Sequence, residues 1–282
     1  MNLESNFILL NLHEETITRW VYTAIAKGVQ NLELDLNYMI GAWEGLEYQY
    51  GLPANFVRSL RQFSGFRCFK SLRFVNVGIS RETVEFFIYN CPVLEELRVS
   101  HVDSQHFLGL KVVGSSIRLK YLELYCCFSI EELDISAPSL LSLKFYGSNI
   151  RRLKIENVPL LVDVSIGGTV YIQLKNLVEP IADYLTQLET LELSFNLDHD
   201  NLRFPLPALP KLKHLIFDAL APDNKNLRQL TLVMKACPFL QKFTLKLVHA
   251  APSRRRIIRK FPKWSYEHLK EVTFVGFEAV PI

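Results

Sequence analysis

No uninterrupted apolar run in this chain approaches the roughly 18 residues needed to cross a bilayer, so a spanning helix is excluded and no membrane partner is implied. The opening residues, Met1-Asn-Leu-Glu4-Ser-Asn-Phe-Ile-Leu-Leu10, carry one acid and neither Lys nor Arg ahead of a very short apolar stretch, which is unlike a secretory signal. Cys68, Cys91, Cys126, Cys127 and Cys237 are odd in number and contain no C-x-x-C pair, so a disulfide framework is not expected. These absences predict an intracellular protein of the cytoplasm, the nucleus or both. Charge of either sign is not in excess: the net charge of +3 implies no nucleic-acid partner for the chain as a whole.

Catalytic signatures are missing as well. There is no G-x-S-x-G, no H-E-x-x-H and no G-x-G-x-x-G, and the seven histidines show no metal-ligand spacing. Gly109-Leu-Lys-Val-Val-Gly114-Ser115-Ser116 has the glycine spacing of a phosphate-binding loop, but Ser115 stands where the phosphate-reaching Lys is required, so the segment reads as a turn. Asp198-His199-Asp200 is the densest polar cluster and reads as a solvated loop. Cys91 and Cys237 each precede Pro, at the corner where a helix would stop before a strand, and read as small buried side chains rather than reactive thiols. The expectation is a non-enzyme with no cofactor and no metal.

What is present is a repeat. The phrase L-x-x-L-x-L, with aliphatic or aromatic substitutes, returns five times between Leu119 and Ile166, with fourth positions at Leu122, Leu133, Leu143, Leu153 and Val164. Alternation of apolar and polar residues marks half-buried strands. The interval of 10 or 11 residues is too short for a closed coil, because two strand-length legs and two crossings between layers need on the order of 16 residues. Alternate phrases therefore fall on opposite sides of one coil, with 122, 143 and 164 on one sheet and 133 and 153 on the other, and a full central coil is 21 residues.

The same phase places further strands at Leu72, Leu97, Leu191, Leu215, Phe243 and Val272, and an earlier phrase at Leu32 stands 40 residues before Leu72 across an insertion, roughly 37–53. Helices are expected over 14–27, over 54–63, over 81–89 with Ser80 as cap, and through Leu227, Leu230, Val233 and Met234 behind Asp223 or Asn224. The fold class is thus an α/β leucine-rich repeat solenoid, a horseshoe with a parallel concave sheet. Helices lie on the convex side of the longer coils, and strands replace them in the 21-residue coils. One domain, 1–282, is expected, with 1–28 as an N-terminal helix and cover. Only ten residues follow Val272, which is thin cover for the far end.

Between the inward aliphatics, the outward residues of consecutive strands line up. One row is Arg73, Arg98, Glu123 and Lys144, and beside it lie Ser100, Tyr125 and Tyr146, with Tyr121 at the edge. The row is a cross-strand charge ladder or, because exposed aromatics and Arg dominate binding hot spots, a protein-binding patch. A second charged feature, Arg254, Arg255, Arg256, Arg259 and Lys260, is either a nuclear address or anion-binding patch, or a docked amphipathic segment, given Ile257, Ile258 and Phe261.

Four phrases resemble one family. In plant F-box/LRR proteins of the FBD type, Trp20-Val-Tyr-Thr-Ala with Val29-Gln-Asn-Leu-Glu-Leu34 resembles the entry to the repeats, Cys91-Pro-Val-Leu-Glu-Glu-Leu97 and Ile135-Ser-Ala-Pro-Ser-Leu-Leu-Ser-Leu143 resemble the repeat phrases, and His268-Leu-Lys-Glu-Val-Thr-Phe-Val-Gly-Phe277 resembles the opening of FBD. The resemblance implies a ubiquitin-ligase substrate receptor, in which an F-box docks on a Skp adaptor of a cullin-RING ligase and the repeats hold an as yet unidentified protein substrate. The chain is expected to depart from that pattern in two places: residues 1–27 show no F-box, and 264–282 reads as the start of a truncated FBD-like segment. Ligase engagement is then expected only with an F-box supplied from outside this chain. The alternatives are an interaction protein unconnected to a ligase and a small-molecule co-receptor.

Overall fold

The computed structural model describes residues 14–36, 50–102, 107–147, 150–168, 177–196, 207–220, 234–248 and 267–276. The chain packs as two compact units, Met1–Leu160 and Leu161–Ile282. The strands of the first are β1 (Asn31–Asp35), β2 (Tyr50–Gly51), β3 (Ser71–Val75), β4 (Val77–Gly78), β5 (Glu96–Ser100), β6 (Gly109–Val113), β7 (Tyr121–Tyr125), β8 (Glu132–Ser136), β9 (Ser142–Gly147) and β10 (Arg152–Glu156). Those of the second are β11 (Asp163–Gly168), β12 (Thr190–Asn196), β13 (His214–Leu220), β14 (Lys242–Val248) and β15 (Glu271–Val275). The helices are α1 (Glu14–Ala26), α2 (Phe56–Leu60) and α3 (Arg81–Asn90), with 3-10 turns at Gly65–Cys68 and Glu179–Gln187.

In the first unit the main sheet runs β1-β3-β5-β7-β9, all parallel, and the phrase fixes its register. Leu32, Leu72, Leu97, Leu122 and Leu143 form one column, and Leu34, Phe74, Val99, Leu124 and Phe145 form the next. Every one of these side chains is buried. Each is worth about 1.5 to 3 kcal/mol on full burial, a gain that exists only because neighbouring coils stack. The 40-residue separation before Leu72 does not disturb the ladder, since β1 pairs directly with β3.

Leu133 lies in a different sheet from Leu122, as the length of the coil requires. The second sheet runs β10-β8-β6, with Leu110, Leu133 and Leu153 in register. Strand β6 corrects two expectations. Gly109–Val113 is a strand rather than a turn, and the 25-residue coil between Leu97 and Leu122 therefore carries a strand, not a helix. Gly109 serves close strand approach, since a Cβ there would stand 3.2 Å from Glu132 O.

The helical layer is built as its sequence dictates. Ser80 Oγ accepts from Thr83 N at 3.2 Å to cap α3, and the helix stops at Cys91, whose extended backbone precedes Pro92. Phe87 on α3 packs within 5.8 Å of Phe69 and 6.2 Å of Phe74, joining the helix to β3. Helix α1 buries Ile17, Val21, Ala24 and Ile25. Gly65 permits the next contact, because a Cβ there would collide with Ile25 O at the end of α1.

In the second unit β11-β12-β13-β14-β15 pair in parallel, aligning Val164, Leu191, Leu215, Phe243 and Val272. The core is aromatic: the Phe217 ring centroid lies 5.7 Å from Phe195 and 6.1 Å from Phe243. Of the expected helix through Leu227, Leu230, Val233 and Met234, the first three lie outside the described residues and Met234 is helical. Among the described residues no helix is long and apolar enough to cross a membrane.

Candidate functional site

The outward positions of the first unit's main sheet come together as the strand period demands. Arg73, Arg98, Glu123 and Lys144 are register neighbours on β3, β5, β7 and β9. Adjacent parallel strands stand about 4.8 Å apart, so the row spans roughly 15 Å. Two like charges, Arg73 and Arg98, face each other, and the repulsion is offset by acids. Arg73 pairs with Glu33 and with Asp35, and Arg98 pairs with Glu96 and, at 3.8 Å, with Glu123. Side chains that are 28% to 44% exposed make these pairs worth a fraction of a kcal/mol each, by the order of magnitude for solvent-screened ion pairs.

Tyrosines flank this ladder. Tyr121 and Tyr125, at the two ends of β7, are each 45% exposed, although large apolar side chains elsewhere on the sheet are buried. Tyr125 and Tyr146 are register partners, with ring centroids 5.3 Å apart and planes tilted by 30°. His101 adds an edge-on ring 5.8 Å from Tyr125. It stands one residue past β5 with φ at 55°, in step with Asn76 past β3 and Cys126 past β7, and this left-handed turn aims its ring along the strand ends. His101 was not among the residues expected from sequence, although the 25-residue step from Asn76 marks the position. Ser100, expected to be exposed beside Tyr125, is instead buried. The residues Arg254, Arg255, Arg256, Arg259 and Lys260 lie outside the described residues, as does Asp198-His199-Asp200.

The outward face of the second unit carries a different network. Glu192 accepts from Ser165 Oγ at 3.0 Å and from Lys246 Nζ at 3.3 Å. Asp218, the register neighbour of Lys246, is half-buried; burial pushes its carboxyl up, Lys246 opposes this and Glu192 adds to it. Cys91, Cys127 and Cys237 are buried, and burial pushes each thiol up to about 12, which makes them packing residues rather than nucleophiles at neutral pH. Cys91 Sγ donates to Phe66 O at 3.1 Å. Among the described residues no group of three or more His, Cys, Asp or Glu side chains is placed to hold a metal ion. The arrangement offers flat aromatic area and fixed charges, which suit non-covalent recognition.

The family model of the At1g61320/AtMIF1 LRR domain matches residues 1–280. Among curated relatives from Arabidopsis thaliana, one named as an F-box/LRR-repeat protein (At3g18150) is 27% identical over 57% of this chain and 36% of its own length. Two named as F-box/FBD/LRR-repeat proteins are 28% identical over 75% of this chain and 50% of that protein (At4g13965), and 34% identical over 66% of this chain and 42% of that protein (At5g56810). The chain thus spans half or less of the length of these three relatives. Aligned leucine columns, parallel sheets in both units and a match along nearly the whole sequence place it plainly: the chain belongs to the At1g61320/AtMIF1 leucine-rich repeat domain family and is a protein-interaction scaffold.

Proposed function

We propose that this scaffold is the substrate-recognition part of an F-box-type ubiquitin-ligase receptor, and that it holds its protein partner on the outward face of the first unit's main sheet. Arg73, Arg98, Tyr121, Glu123, Tyr125, Lys144 and Tyr146 form the contact surface. The observation that carries this reading is exposed Tyr125 paired with half-buried Tyr146 beside a charge ladder. Two large rings held in contact on a rigid sheet offer area to a partner with little ordering cost, and such aromatics dominate interface energetics. The ligase connection rests on the names of the relatives.

The test uses a partner captured with the chain as bait. Tyr125→Ala with Tyr146→Ala should weaken that partner's binding by at least about 2 kcal/mol, roughly thirtyfold in Kd, while circular dichroism and thermal midpoint stay close to wild type. Unchanged affinity in the folded double variant would move the site off this face. Reconstituted ubiquitination of the partner, with the receptor's F-box region, Skp adaptor and cullin-RING ligase supplied, tests the ligase part separately. Binding without ubiquitination leaves an interaction protein unconnected to a ligase.

A further inference from the structure

Helix α3 turns one stripe of side chains toward the edge of β6. Arg81, Glu85 and Tyr89 stand four residues apart, so about 6 Å of helix axis separates each from the next. Gly109, Lys111 and Val113 stand two residues apart on β6, or about 6.6 Å. The two periods agree to within about 0.6 Å, so successive helical turns meet successive outward backbone positions of the strand.

The contacts follow that match. Lys111 N donates to Glu85 Oε1 at 3.0 Å, and Arg81 Nε holds the same oxygen at 2.8 Å. The Tyr89 hydroxyl donates to Lys111 O at 3.0 Å and accepts from Val113 N at 3.4 Å. Arg81 Nη1 lies 3.6 Å from where a Cβ on Gly109 would stand. These are the groups a further strand would use, because the other side of β6 is already taken by β8: Leu108 O accepts from Glu132 N at 3.2 Å, and Gly114 N donates to Ser136 O at 2.9 Å. A hydroxyl that both donates and accepts does what a peptide group does. Side chains along the edge reach solvent, with Leu108 55%, Tyr89 48% and Val113 42% exposed beside exposed Lys111. Without α3, an edge of that kind is a template for pairing with another chain.

We propose that α3 stands in for an absent strand: Glu85 and Tyr89 end the second sheet by occupying the hydrogen-bonding edge of β6, and so keep that edge from pairing with the same edge of a second copy. The inference is independent of the partner site on the main sheet, which lies on other strands.

Amide hydrogen exchange read by NMR, with sedimentation velocity, tests it on the full chain. Glu85→Ala should speed exchange at the Lys111 amide at least tenfold and leave Val113 unchanged, whereas Tyr89→Phe should do the reverse. Glu85→Gln, which keeps an acceptor oxygen, should restore protection at Lys111. The double variant Glu85→Ala with Tyr89→Phe should form dimers as concentration rises, and adding Lys111→Pro, which removes the edge donor, should return it to monomer. Unchanged exchange in the single variants would overturn the stand-in role. A double variant that remains monomeric, or Tyr89→Phe remaining monomeric should the double variant fail to fold, would overturn the guarding role.

Discussion

The first and last strands described carry the same phrase and meet opposite fates. Leu32 and Leu34 on β1 are 4% and 6% exposed, whereas Val272 and Phe274, at the equivalent positions of β15, are 46% and 60% exposed. Both strands bond to a single neighbour within their own unit, so pairing is not the difference. Behind β1 stands a helical layer: α1 buries four apolar residues, Tyr22 stacks at 5.8 Å on Phe63, and Thr18 and Tyr50 share a hydrogen bond of 2.7 Å. None of the described residues forms a helix or second-sheet strand behind β15. The alternating pattern specifies which side chains turn inward. Burial requires the return leg of the coil as well, and that is where most of the stabilisation arises.

Truncation at the two ends gives the largest expected contrast. Leu32→Ala should cost about 2 to 4 kcal/mol and Val272→Ala less than about 1 kcal/mol, measured as the change in local stability by native-state hydrogen exchange. Equal losses would mean that the pattern alone secures burial, and the distinction between the ends would collapse.

A smaller effect, of opposite sign, is expected where the first unit stores backbone strain. Cys126 holds φ at 54° one residue past β7, a region costly for residues other than Gly and Asn. Cys126→Gly should stabilise by up to about 1 kcal/mol in chemical denaturation. The matching change Asn157→Gly past β10, at φ 47°, should gain less, because Asn tolerates that region. Equal gains at both positions would remove strain as the cause.

The smallest effect concerns the exposed strand. The hydrogen bond from Lys242 holds the Glu271 carboxyl below the usual glutamate range, with an N–O distance of 2.7 Å. A carboxyl lowered on folding stabilises above its unfolded value of about pH 4.3, and the contribution is lost as pH falls through the lower folded value. Acidification should therefore loosen β15 before β1, seen as Val272 and Val275 methyl resonances drifting toward random-coil positions, and salt of about 1 M at neutral pH should do the same by screening. Methyls that do not respond would show that the ion pair holds nothing at this end.

Much of this was legible because chain geometry leaves few choices. Leu122 and Leu143 had to share a sheet, and Leu133 and Leu153 had to lie opposite, since ten residues cannot close a coil. Ser80 announced α3 through its own side chain. Strand β6 escaped because Gly109 and Gly114 drew the segment toward a turn, while the phrase Phe107-Leu-Gly-Leu110-Lys-Val112 opens on an aromatic and hides a glycine inside. The row of Arg73, Arg98, Glu123 and Lys144 was readable from the step alone. That Arg98 would be held by both Glu96 and Glu123, that Ser100 would be buried, and that His101 would reach Tyr125 depend on rotamers and turn conformation, which a single sequence does not encode locally.

The direct pairing of β1 with β3 across 40 residues has a consequence for how such arrays diversify. Lengthening a connection from about 20 to about 40 residues costs only about 0.6 kcal/mol of closure entropy. The ladder of leucines therefore works like the spine of a ring binder: pages of any thickness can be clipped between two fixed holes. New recognition loops can be tried between β1 and β3 at almost no thermodynamic penalty, while a single residue added within a strand would turn every inward side chain out to water.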